Sequence, residues 1–129
     1  MASLDSIPFA DESFDWVICN AVMHFAEDQG QFDRWLAEQW RVIKPGGAFF
    51  ARLASSIGIE GLLVPTSDGR FFMPDGTERF VVDEQILRDA TASAGGHFLE
   101  PIKTTNVENL RCMTTWVLVK DVVEPNRIK

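Results

Sequence analysis

At 129 residues the chain has the length of one domain and can bury roughly two-thirds of its unfolded surface. A hydrophobic content of 46%, with ten Phe and four Trp but no Tyr, suits a packed globule, and no apolar run approaches the roughly 20 residues that a membrane-spanning helix needs. The net charge of −7 repels polyanions and argues against nucleic acid as a partner.

The acidic residues are spread along the chain, as on a solvated surface. Met1 to Ile7 has neither a basic start nor an apolar centre, and Cys19 and Cys112 lack metal-ligand spacing. A cytoplasmic protein with free thiols and no leader is the expectation. Phe14 to Cys19 is a short apolar run rich in strand formers, read as a strand covered on both faces, which is usual for parallel pairing. From Gln31 to Ile43 the apolar residues Phe32, Trp35, Leu36, Trp40 and Ile43 form a helical stripe opposite Asp33, Arg34, Glu38 and Arg41. Lys44-Pro45-Gly46-Gly47 is expected to stop that helix, and Ala48 to Leu53 reads as a second buried strand. Strand, helix and strand in this order predict a right-handed crossover and an α/β fold.

Between Ser55 and Val82 the pattern loosens. Phe71-Phe72-Met73 and Phe80-Val81-Val82 read as a hairpin with a tight turn at Asp75-Gly76, so residues 56–82 look like an insertion within a single domain spanning 1–129. A second helix is expected from an Asp83 N-cap to Gly95-Gly96, burying Ile86, Leu87, Ala90 and Ala94. Two closing strands, His97 to Thr105 and Arg111 to Val119, complete the pattern.

Few residues stand out for chemistry. Gly46-Gly47 and Gly95-Gly96 each follow a helix, whereas a phosphate-cradling loop follows a strand and opens a helix. Asp11, Glu12 and Asp15 have no histidine or cysteine near them, so a solvated turn is expected and no metal. His97 reads as the start of a strand, and no Ser/His/Asp or Cys/His grouping is supported by the spacing.

Two motifs carry a resemblance. Ile7-Pro8-Phe9 followed by Asp11-Glu12-Ser13-Phe14-Asp15, and Arg41-Val42-Ile43-Lys44-Pro45-Gly46-Gly47, are similar to the approaches to the fourth and fifth strands of class I S-adenosylmethionine-dependent methyltransferases. The closing pair ending in Met113-Thr114-Thr115-Trp116-Val117-Leu118-Val119 resembles that family's sixth and seventh strands. The resemblance implies a partial Rossmann-like sheet, strands 4-5-7-6 of the family's order 3-2-1-4-5-7-6. The glycine-rich cofactor loop and the ribose-holding carboxylate belong to the family's first half, and neither can be found in this sequence. The resemblance therefore implies a truncated domain that takes S-adenosylmethionine as cofactor, with weak or no binding by the isolated chain.

Residue by residue, the resemblance maps the cofactor side onto Ser3 and Leu4, where Ser3 stands at a commonly acidic position, and onto the turn Asn20, Ala21 and His24. His24 is the plausible catalytic base; alternatively it packs near the following helix, and Asn20 only makes the turn. Arg52 faces an anionic substrate group or lies outward on the surface. Phe71 belongs to a substrate lid or packs on its own core. The function implied is methyl transfer to a small molecule. The rival is a non-catalytic fragment that dimerises or complements a partner, and a nicotinamide-binding domain is disfavoured by the Lys-Pro-Gly-Gly turn. Removing the first three strands would leave Phe14 to Cys19 as an unprotected edge, so a homodimer through that strand is expected.

Overall fold

The computed structural model describes residues 6–122. In chain order they form β1 (Phe14–Asn20), a single helical turn at Met23–Phe25, α1 (Gln29–Arg41), β2 (Ile43–Ser55), a second single turn at Glu60–Leu62, β3 (Val64–Ser67), β4 (Arg70–Phe72), β5 (Glu78–Phe80), α2 (Glu84–Ala94), β6 (Gly96–Phe98), β7 (Lys103–Val107) and β8 (Arg111–Lys120). β1 runs parallel to β2, in register from Trp16 opposite Ala48 to Asn20 opposite Arg52. β8 returns antiparallel along the other side of β2, from Ala48 opposite Val119 to Ser55 opposite Cys112. β6 and β7 both pair with β8, giving a five-stranded sheet in the order β1-β2-β8-β6 with β7 also beside β8. This is the mixed α/β arrangement expected, with the parallel pair at one edge.

The local chemistry explains the element limits. Asp28 caps α1 by accepting from the Gln31 amide at 2.8 Å, so the helix starts two residues before the apolar stripe suggested. It also ends earlier, at Arg41, because Ile43 already belongs to β2 and is fully buried there. Lys44 to Gly47 lie within that strand. A Cβ on Gly47 would come within 2.7 Å of the Asp15 carbonyl, so glycine permits the close approach of β2 to β1. Asp83 caps α2 at the Ile86 amide, and Gly95 ends it in the left-handed conformation at φ 77°.

Both motifs of the sequence meet in space. The Arg41 guanidinium donates to the carbonyls of Ile7 and Phe9 at 2.9 Å, to Asp11 at 2.7 Å and to Glu38 at 2.9 Å. Glu38 in turn accepts from the Ile7 amide at 2.6 Å. The hydrogen bonds from Arg41 and from Ile7 hold the Glu38 carboxyl down at about 2.

Both helices cover the same face of the sheet. Phe32, Leu36 and Trp40 of α1 and Leu87 of α2 form one core with Phe49, Ala51, Trp116 and Leu118. Ile86, Ala90 and Ala94 pack at its margin. On the opposite face Trp16 is 59% and Ile18 70% exposed, so β1 is an edge strand covered on one side, where the sequence suggested cover on both. Its apolar run reflects one buried face and one open one.

Residues 56–82 contain more than a hairpin. β4 and β5 form it, with the Gly76 amide bonded to the Met73 carbonyl in the expected turn, and β3 adds a third strand along β4. Pro65 in β3 is tolerated because β3 is an edge. The small sheet closes over a second core of Ala54, Ile59, Met73, Val81, Cys112 and Met113. The closing strand read as His97 to Thr105 is broken into β6 and β7, with Pro101 between them supplying no amide for a ladder.

Candidate functional site

The carboxyl ends of β1 and β2 lie side by side, where open α/β sheets place their ligands. Asn20 ends β1, exposed and opposite Arg52. Ala21 then turns the chain in the left-handed region, φ 59°, which costs a residue with a Cβ about 1–2 kcal/mol. Its amide donates to the Arg52 carbonyl at 2.7 Å, fixing the turn against β2.

His24 is buried on the single turn that follows. Its Nδ1 accepts from the Ala54 amide at 3.2 Å, and the ring meets Phe25 edge-on with centroids 4.7 Å apart. Burial, aided by the charge of Arg79, lowers the imidazole to about 4, so it is neutral at physiological pH. With Nδ1 accepting, the proton sits on Nε2. The ring therefore presents a donor there, and service as a base would require giving up the bond to Ala54.

Ala21, His24, Arg52 and Ala54 line one side of a cleft of about 340 Å³. The hairpin turn supplies Met73, Asp75 and Thr77, β5 supplies Arg79, and the head of β8 supplies Arg111 and Met113. Asp75 is engaged within its own turn, accepting from the Thr77 amide at 2.9 Å and hydroxyl at 2.5 Å. Burial pushes its carboxyl up, but the Thr77 bonds and the charges of Arg111 and Arg79 outweigh that and hold it below the ordinary range. Two roomier surface clefts, of about 560 and 580 Å³, flank α2 and are lined by none of Asn20, Ala21, His24 and Arg52. Among the described residues no group of three or more His, Cys, Asp or Glu is gathered to hold a metal.

The residues singled out from sequence are thus partly assembled. Asn20, Ala21, His24 and Arg52 share the strand-end region. Phe71 packs against the second core, and it is Met73, two positions on, that lines the cleft. Ser3 and Leu4 lie outside the described residues. Arg79, Arg111, Asp75 and Thr77 were not singled out, because three separate elements bring them together and no spacing in the chain announces it. As a seat for S-adenosylmethionine, the described residues fit on one side only. The turn offers the Asn20 side chain and an exposed Val22 beside the open edge of β1, while no glycine-rich strand-to-helix turn is present among them to take the rest.

Residues 1–51 match the methyltransferase domain family. No curated protein matches the chain. Among solved structures, an S-adenosylmethionine-dependent methyltransferase from Methanosarcina mazei is similar with a TM-score of 0.70 at 16% identity, over 95% of this chain and 66% of that one. The 1,6-didemethyltoxoflavin N1-methyltransferase of Burkholderia thailandensis, solved with 1,6-didemethyltoxoflavin and S-adenosylhomocysteine, gives 0.67 at 13% identity, over 94% and 49%. A 4+2 cyclase, SpnF, gives 0.69 at 16% identity, over 95% and 56%. At such identities the likeness is one of fold, and the chain spans about half to two-thirds of the length of these proteins.

Proposed function

We propose, from the match of residues 1–51 to the methyltransferase domain family and from the likeness of fold, that the chain is part of a class I methyltransferase domain and forms the acceptor side of an S-adenosylmethionine-dependent methyl-transfer site. The observation that supports this reading is the cleft that opens at the carboxyl ends of the parallel strands β1 and β2, beside the strained turn at Ala21. Bound S-adenosylmethionine supplies an electrophilic sulfonium methyl. Asn20 to Val22 would border it, and the cleft would hold the acceptor alongside. The protein contributes mainly alignment, which in well-oriented reactions is worth roughly 7–11 kcal/mol of barrier. Ala21, tied to Arg52, sets the position of the turn, and His24 fixes the turn to β2 through Ala54 while offering its Nε2 proton.

Each missing charged or buried hydrogen bond costs roughly 1.5–3 kcal/mol. Two such losses would move a micromolar site roughly 100-fold or more, toward millimolar. Titrating the chain with S-adenosylhomocysteine while following backbone amides by NMR tests the reading. Shifts centred on Asn20, Ala21 and Val22 with a millimolar dissociation constant are expected. Saturation without shifts there, or low-micromolar binding elsewhere, would overturn it.

We further propose that the open edge of β1 pairs with a second copy, a reading supported by the exposure of Trp16 and Ile18. Cytoplasmic location is the setting that fits two cysteines, Cys19 and Cys112, which are buried and free. Among the described residues no helix is long and apolar enough to cross a membrane.

A further inference from the structure

We propose that the strand-end cleft binds a small organic acid through the guanidinium groups of Arg52, Arg79 and Arg111, with an apolar body resting on Ala54, Met73 and Met113. This deepens the methyl-transfer reading by assigning its acceptor a chemical class, and it rests on that reading for the acceptor's role.

Three of the chain's twelve basic side chains border one cleft in a molecule whose net charge is −7. Elsewhere among the described residues, three arginines are matched by carboxylates: Arg41 binds Asp11 and Glu38, Arg70 meets Glu78, and Arg88 meets Glu84. In the cleft, Arg79 and Arg111 act on Asp75 only through their charge, without a close ion pair among the described residues. Neither the Arg52 nor the Arg111 guanidinium makes a hydrogen bond or close ion pair among the described residues. Arg79 donates to the neighbouring Glu78 carbonyl at 3.1 Å and lies 4.8 Å above the Phe25 ring, contacts that position it without neutralising it. The single carboxylate in the lining, Asp75, already accepts two bonds from Thr77. His24 is neutral and adds no charge. One acid against three guanidiniums leaves a net positive site.

Guanidinium forks match the planar oxygens of carboxylate and phosphate. A cleft of about 340 Å³ lies at the small end of the range that holds drug-sized ligands, roughly 300–1,000 Å³. Beside the charged groups the lining holds apolar Ala21, Ala54, Met73 and Met113 together with His24 and Thr77. Apolar walls beside a cationic rim select a compact molecule with one anionic end, its reacting atom directed toward the Asn20-Ala21 turn.

The test is titration of the full chain, by NMR and calorimetry, with benzoate, phenyl phosphate, benzamide and inorganic phosphate. Benzoate or phenyl phosphate should bind and shift Arg52, Thr77, Arg79 and Arg111, the tighter of the two identifying carboxylate or phosphate as the anionic end. Benzamide should bind at least about tenfold more weakly, since it lacks the charge. Arg52→Gln and Arg111→Gln should each weaken the better ligand by about tenfold with an unchanged unfolding midpoint; Arg111 is exposed at a strand head, which keeps the test valid if Arg52→Gln disturbs β2. Equal binding of benzamide, equal binding of inorganic phosphate, or indifference to both substitutions would overturn the proposal. S-adenosylhomocysteine is titrated separately. Anion shifts in the cleft without nucleoside shifts at Asn20 to Val22 would sustain the anion site while removing the methyl-transfer reading, and the converse would do the reverse.

Discussion

Ala21 shows how one residue can mark a site. It holds a left-handed conformation that its Cβ disfavours, at the corner where β1 passes into the cleft wall, and strain of this kind tends to persist where function needs it. Replacing it with glycine relieves about 1–2 kcal/mol of strain and costs about 0.5–1 kcal/mol in chain entropy. Ala21→Gly should therefore stabilise the fold by up to about 1.5 kcal/mol, read as a higher urea midpoint, and a lower midpoint would contradict the strain. His24 makes a different prediction. An imidazole lowered from 6.5 to about 4 binds fewer protons folded than unfolded across that interval. Its contribution is complete above pH 6.5 and is lost as pH falls toward 4. In His24→Gln the fall in thermal midpoint between pH 7 and pH 4.5 should be visibly shallower than in the parent chain.

The helix α1 decides how the sheet is covered. Trp40 is 7% exposed and meets Phe49 edge-on with centroids 6.4 Å apart, and a Cβ on Gly96 would strike its ring at 2.7 Å. Trp40→Ala should cost about 3–5 kcal/mol. Trp35 behaves otherwise: it packs at the core margin, and its Nε1 is buried with no hydrogen-bond partner among the described residues. Trp35→Phe removes the unsatisfied donor together with the five-membered ring that carries it, so the gain from the donor offsets the lost packing and the expected change is small, within about 1 kcal/mol in the urea midpoint, where a fully satisfied N–H would add its own loss to that of the packing.

Elements with a full period of apolar residues, such as α1, α2 and β8, were legible in the sequence for this reason: their burial repeats often enough to be read. β3, four residues carrying a proline and exposed throughout, has no such repeat. The break between β6 and β7 was likewise hidden, because Pro101 interrupts a run whose composition alone looks continuous. The cleft was half legible. Asn20, His24 and Arg52 follow from strand ends, but Arg79 and Arg111 reach it through the folding of β5 and β8 over the second core.

At the scale of the whole molecule, β1 is an open edge of the sheet formed by the described residues. Phe14, Trp16 and Ile18 are 36%, 59% and 70% exposed, and no lysine or proline within β1 discourages pairing. Two copies related by a two-fold axis across β1 would extend the sheet antiparallel, and a stable contact should bury roughly 1,200–2,000 Å². Sedimentation should show a dimer at high micromolar concentration, and Ile18→Lys should return it to monomer with the fold intact. A monomer in the parent chain would end the idea.

β8 joins β2 far along the chain and carries Arg111 and Met113 to the cleft. Synthesis releases the amino-terminal parts first, so β1, α1 and β2 can form on the ribosome while the cleft still lacks a wall. A ligand that needs Arg111 recognises only chains in which β8 has joined the sheet. By mass action it would then stabilise finished molecules and leave nascent ones untouched.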